Sequence, residues 1–125
     1  MLAVEPNNPL ALNNLAVIAT GRGKQLGEAE GWARKAVSVA PTSADFHDTL
    51  GSVLRARGKL PEARQAMERA VELAPDSGEM LYRLAQVQAE LGDSVAARQS
   101  LDRALTKGGF PSADKARALR GTLGS

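Results

Sequence analysis

Cysteine is absent from the 125 residues, histidine occurs once, and Phe, Trp and Tyr together make up 3%. The first absence excludes disulfides, thiolate nucleophiles and cysteine-held metals, and it leaves the redox compartment unreadable. A single histidine rules out multi-imidazole sites. With so few aromatics, any core must be built from Ala, Leu and Val, and such cores pack closely and tolerate few cavities. No apolar run reaches the ~18 residues of a membrane span. The opening stretch, Met1-Leu2-Ala3-Val4-Glu5-Pro6, lacks both a basic start and a long apolar segment, so it does not read as a secretory signal. Charge of one sign is scarce too. Lys and Arg number 16 against 14 Asp and Glu, a net +2, which is too mild to predict nucleic acid or an anionic membrane as a partner.

What the chain does contain is a repeat. Ala63-Arg64-Gln65 returns as Ala97-Arg98-Gln99, and Glu68-Arg69-Ala70 returns as Asp102-Arg103-Ala104, at an offset of 34 residues. At the same spacing Leu50 meets Leu84, Gly51 meets Ala85, Gly58 meets Gly92, Met67 meets Leu101 and Pro75 meets Gly109. A weaker copy upstream carries Leu15-Ala16, Ala29, Ala33, Ala36 and Pro41, with its halves one residue further apart, so Thr20 to Glu28 holds an insertion in a turn. Fixed-period similarity of this length points to stacked supersecondary units. Each unit reads as two helices. Phe46, Leu50, Gly51, Val53 and Leu54 form one helical stripe, Gly58 ends that helix, and Pro61 opens the next. The second helix buries Ala63, Ala66, Met67, Ala70, Val71 and Leu73 before Pro75 stops it. Neither helix can hide its stripe alone, and stacking copies solves this.

Leu, Gly or Ala, Gly, Ala, large apolar, Ala and Pro at these spacings resemble the tetratricopeptide repeat. The residues that carry the resemblance are Leu50, Gly51, Gly58, Ala63, Met67, Ala70 and Pro75, then Leu84, Ala85, Gly92, Ala97, Leu101 and Ala104. The chain departs from the pattern where the family has a bulky aromatic (His47 and Leu81 here) and a tyrosine (Leu54 and Gln88 here). The resemblance implies an all-α fold: an α-solenoid of about three helix hairpins in a right-handed superhelix, plus a C-terminal capping helix. The expected organisation is a tail of a preceding repeat at 1–9, repeat units at 10–43, 44–77 and 78–111, and the cap at 112–125. Ser112 is the expected N-cap of that last helix. Ala113, Ala116, Leu119 and Leu123 would seal the last pair, leaving Lys115, Arg117 and Arg120 in solvent.

The basic residues of the repeated helix, Arg64, Arg69, Arg98 and Arg103, are interleaved with Glu62, Glu68, Glu72 and Asp102, many at i,i+3 or i,i+4 spacing. With no aromatic partners to stack bases, they read as a solvated face. His47 beside Asp45 and Asp48 has no nucleophile or oxyanion donor to serve, so packing is its expected role, as it is for Trp32. Gly21-Arg22-Gly23-Lys24-Gln25-Leu26-Gly27 matches neither a phosphate loop nor a dinucleotide fingerprint. No catalysis, metal or cofactor is expected.

In the resembled family the first helix of each unit lines a concave surface. Carried over by position, the inward residues are Leu10, Asn13, Val17 and Thr20, then Asp45, Asp48, Ser52 and Arg55, then Glu79, Tyr82, Gln86 and Ala89. Tyr82 is the one aromatic, a favoured type of interface anchor. Some members hold a peptide's terminal carboxylate in a Lys/Asn/Arg clamp; the matching positions are Asn13, Val17, Thr49, Glu79 and Arg83. Only Arg83 has suitable chemistry, and Glu79 would repel a carboxylate. The implied function is a non-enzymatic scaffold that binds an extended peptide or protein in the groove. The alternative is a structural or self-associating segment, with Leu2, Val4, Leu10 and Leu12 exposing an apolar end. The runs Ala11-Leu12-Asn13-Asn14-Leu15-Ala16, Asp48-Thr49-Leu50-Gly51-Ser52-Val53-Leu54 and Tyr82-Arg83-Leu84-Ala85-Gln86 are also similar to the C-terminal part of bacterial repeat proteins beside exopolysaccharide synthesis and PEP-CTERM sorting. That resemblance implies a periplasmic scaffold of an export system; without it a cytoplasmic location is expected.

Overall fold

The computed structural model describes residues 8–124; the expected tail of a preceding repeat, with Leu2 and Val4, falls largely outside them. The described chain forms α1 (Pro9–Arg22), α2 (Leu26–Val39), α3 (Ala44–Ala56), α4 (Leu60–Leu73), α5 (Gly78–Glu90), α6 (Ser94–Lys107) and α7 (Ala113–Thr122), with no strand among the described residues. Local chemistry sets the boundaries. Asn8, Ser43 and Ser77 stand in extended backbone before α1, α3 and α5, and their side chains accept from the amides of Ala11, Phe46 and Met80. Gly23, Gly58 and Gly92 reverse the chain after the same helices at φ of 66, 78 and 84°, a region that costs a residue with a Cβ. All three turns span three residues, but the first has two, Lys24 and Gln25, after its glycine where the others have one. The additional one is accommodated at Gln25, the only non-glycine with positive φ among the described residues, at 56°.

Helices pair as α1 with α2, α3 with α4 and α5 with α6. Each pair then stacks on the next through α2 on α3 and α4 on α5, and α7 covers the end of the stack on α5 and α6. The architecture is the all-α solenoid expected from the repeat. Alanine permits the close approach. Ala16, Ala29, Ala33, Ala63, Ala70, Ala85, Ala97 and Ala104 are fully sealed. Glycine is needed where the facing residue is longer. A Cβ on Gly51 would lie 2.8 Å from Met67 Cε, whereas the third pair matches Ala85 with the shorter Leu101 in one cluster. Where the family's tyrosine would stand, buried Gln88 accepts from Ser100 Oγ at 2.7 Å, so the substitution brings its own polar partner.

The cap differs from its expected form in two respects. Ser112 precedes α7 but makes no side-chain bond to the helix amides. Its hydroxyl and amide instead donate to Glu79 at 2.7 and 3.0 Å, so the carboxylate of α5 holds the helix start. Arg120 does not stand free in solvent either, since it donates to Asp102 at 2.8 Å and to the Gly124 carbonyl at 2.6 Å. Ala116 is sealed, and Leu119 and Leu123 pack with Tyr82, Ala85 and Leu101.

The repeated helices form the outer wall, and Arg64, Arg69 and Arg98 find partners there. Arg64 meets Glu68 and Asp93, Arg69 meets Glu72, and Arg98 donates to the Leu123 carbonyl. Exposed pairs of this kind contribute only about 0–1 kcal/mol each. Arg57, Lys59 and Arg34 converge on Glu30 at 2.7, 3.0 and 2.8 Å, tying α2 to the turn between α3 and α4. Burial pushes the Glu30 pKa up, but hydrogen bonds from Arg34, Lys59 and Arg57 outweigh it and bring the carboxyl down to about 2. His47 donates from Nε2 to the Pro41 carbonyl at 2.8 Å, which makes it a brace for the turn between the first two hairpins.

Candidate interaction groove

The residues expected to face inward lie on α1, α3 and α5, but they do not form one continuous surface. Val17 and Thr20 of α1, Thr49 and Ser52 of α3, and Arg83 of α5 line a cleft of about 180 Å³. Arg55, Tyr82, Gln86 and Ala89, joined by Glu90 and by Leu119 of α7, line a second cleft of about 260 Å³. Asp45 and Leu10 are exposed outside both. Asn13 and Asp48 are buried, with residue exposures of 9% and 6%.

Three polar links set the electrostatics of this surface. Arg83 donates to Asp48 Oδ2 and lies 3.5 Å from Glu79. Arg55 grips Glu90 through two bonds of 2.6 and 3.1 Å, and this hydrogen bonding raises the Arg55 pKa further above its ordinary value. Glu79 reaches across to Ser112. Both cations of the inner wall are therefore already neutralised. Burial raises the Asp48 pKa despite the opposing pull of Arg83, with Asp45 and Glu79 adding to the rise. Among the described residues two buried acceptors, Asn13 Oδ1 and Asp48 Oδ1, have no donor.

Tyr82 is less accessible than an interface anchor would be. It is 8% exposed, its ring packs in the cluster beneath α7, and its hydroxyl accepts from Gln86 at 3.0 Å. Reasoning from sequence also missed Glu90 and Leu119 as members of the second cleft. The signal for Glu90 was present: Asp48 to Arg83 and Arg55 to Glu90 are both opposite charges 35 residues apart, one repeat plus one residue. The position of Leu119 depends on how α7 folds back, which no repeat offset encodes. Among the described residues no cluster of His, Asp and Glu is arranged to hold a metal, and no helix is long and apolar enough to cross a membrane.

The stacked hairpins have counterparts among known proteins. MamA shares 24% identity with a TM-score of 0.84, over 95% of this chain and 68% of that one. The TPR2AB domain of yeast Sti1 in its pHSP90 complex shares 20% at 0.85, over 98% of this chain and 48% of that one, so the chain spans about half of it. The Yersinia enterocolitica type III secretion chaperone SycD, in complex with a peptide of the translocator YopD, shares 13% at 0.83, over 98% and 96% of the two chains. No curated protein matches significantly. The tetratricopeptide repeat model matches residues 49–120, more than half of the sequence, and the chain belongs to the tetratricopeptide repeat family.

Proposed function

We propose that this protein is a non-catalytic interaction scaffold that takes an extended peptide or protein segment along its inner face. The observation that carries the reading is the cleft of Val17, Thr20, Thr49, Ser52 and Arg83, to which three successive inner helices contribute. Helices packed through sealed alanines hold such a surface in place before a partner arrives, which lowers the entropic cost of capture. Two structural relatives are named in complexes, Sti1 with pHSP90 and SycD with a peptide of the translocator YopD. Peptides selected from a random dodecapeptide phage library give the test. Ser52→Arg should weaken them at least tenfold with helicity unchanged, while Lys35→Glu on α2 should leave them alone. Peptides indifferent to Ser52→Arg would move the site elsewhere.

A second reading is self-association through the α1 end. Ile18 is 52% exposed, whereas Val53 and Val87, its equivalents on α3 and α5, are sealed at 0%. Leu15, Ile18, Ala19 and Trp32 line a cleft of about 200 Å³ on that face, shaped to receive another hairpin, and a second copy of the chain is the occupant we propose. Light scattering across a hundredfold concentration range should show dimer, abolished by Ile18→Glu. A constant monomer mass would remove this reading. The placement in a bacterial exopolysaccharide or protein export system rests on the sequence runs alone. It is tested by whether the gene lies among export genes and encodes a lipoprotein signal.

A further inference from the structure

Resting on the groove reading, we infer that the partner segment seats a large apolar side chain, of leucine to phenylalanine size, in the second cleft. That cleft lies one inner helix further along the stack than the first, with Arg55 from α3, Tyr82, Gln86, Ala89 and Glu90 from α5, and Leu119 from α7. Its charges cancel locally. Arg55 and Glu90, the two ionic residues of the lining, hold each other through bonds of 2.6 and 3.1 Å. Gln86 donates to the Tyr82 hydroxyl at 3.0 Å, so the polar side chains of the wall are matched in pairs. What remains is carbon: the Tyr82 ring, Ala89 and Leu119, which belong to the cluster beneath α7 or pack against it.

Size and charge together select the occupant. An apolar cavity of about 150 Å³ holds benzene, so about 260 Å³ admits a leucine or a phenylalanine ring. Apolar surface on both sides then leaves water, which is the favourable term. A charged side chain finds no unpaired counter-charge in this lining, and it would give up its hydration without compensation. The first cleft differs. Thr20, Thr49, Ser52 and Arg83 give it hydroxyls and a cation, so an apolar group gains less there. Tyr82, at 8% exposure, takes part in recognition as a wall against which a partner's side chain packs. Leu119 makes this a property of the capped end, since α7 supplies the wall opposite α3 and α5.

Amide and methyl NMR titration with capped Gly-Ser nonapeptides tests this, one peptide each with a central Leu, Phe, Ser, Lys or Glu. The Leu and Phe peptides should shift Gln86, Ala89 and Leu119, with Kd at least tenfold below the other three. Ala89→Leu, at a half-buried site, fills the cleft with the protein's own methyls and should erase that preference. Leu119→Ala removes a wall and should erase it too, and the melting curves of both variants report separately on folding. A Ser, Lys or Glu peptide that binds as tightly as Leu or Phe overturns the inference, as does a preference that survives in either folded variant; shifts at Thr49 and Ser52 in the same spectra leave the groove standing. Cleft resonances that move with protein concentration before any peptide is added put a second copy there and overturn it as well. No shift of any inner-helix resonance at millimolar concentration for any peptide would overturn both readings.

Discussion

The two ends of the stack are built from the same repeat and finished in different ways. At the α7 end, Phe110 fills the space over Gly78, Glu79 fixes Ser112, and Ala116 is fully sealed. On the inner wall, Arg83–Asp48 and Arg55–Glu90 link α5 to α3. At the α1 end, Ile18 stays half open, Asn13 Oδ1 has no donor, and no side-chain hydrogen bond joins α1 to α3 among the described residues. The first hairpin is held instead from the outer side, where Glu30 collects Arg34, Arg57 and Lys59. Alanine spacing builds the stack, while the residues between the alanines decide which end is closed and from which side each hairpin is held.

The largest effect should come from breaking the closed end. A Cβ on Gly78 would sit 2.3 Å from Phe110 Cδ1, and an aromatic ring wedged against a helix has little room to retreat. Gly78→Ala should cost about 3 kcal/mol, the upper part of the overpacking range, read as a lower urea midpoint. Hydrogen exchange should speed up across α7 and leave α1 to α4 unchanged. An unchanged midpoint would mean that the ring does not seal this end.

Matched truncations compare the ends directly. Val87→Ala removes methyls from a fully sealed position and should cost about 2 kcal/mol, transfer and cavity together. Ile18→Ala removes more atoms at the equivalent position, yet should cost under about 0.5 kcal/mol in the monomer because water already reaches it. If the second copy proposed above docks there, the Ile18→Ala cost will grow with protein concentration. Equal costs at low concentration would contradict the open end.

Much of this was legible from spacing. The offsets that align Ala63 with Ala97 and Gly58 with Gly92 gave the hairpins and their turns, because small residues and positive φ are local demands with few substitutes. Val17, Thr20, Asp48, Ser52, Tyr82 and Arg83 could be assigned to the inner helices for the same reason. Their states could not. Tyr82 is covered because α7 folds back over it, Glu79 is engaged by Ser112, and Glu30, on the outer helix, collects cations from a turn 27 to 29 residues on. These depend on side-chain reach across elements, and the repeat leaves that free to vary.

The outer hub should answer to pH. Glu30 has a folded pKa of about 2 against an ordinary value of 4.5, so its contribution is complete above 4.5 and is lost as pH falls through 2. The full shift would convert to about 3 kcal/mol. Its cations are a third to a half exposed, so screening reduces this to about 1–2 kcal/mol. Glu30→Gln should lose that amount at pH 7 and match the parent near pH 2, with faster hydrogen exchange in α1 and α2 at neutral pH. A difference independent of pH would show that shape, not charge, holds the first hairpin.

The smallest effect tests whether the inner links or the packed alanines hold α3 to α5. The Arg55 and Glu90 side chains are 38% and 42% exposed, and even a two-bonded pair in water gains little. Arg55→Met keeps most of the stem and should cost about 0.5 kcal/mol at 0.1 M salt, falling toward zero at 1 M. Chemical denaturation at the two salt concentrations reads the difference, with urea as the uncharged denaturant. A salt-resistant loss of more than about 1.5 kcal/mol would assign the pair the strength of a buried one. It would make these links, and not only the alanine spacing, what separates the tied part of the inner wall from the untied α1.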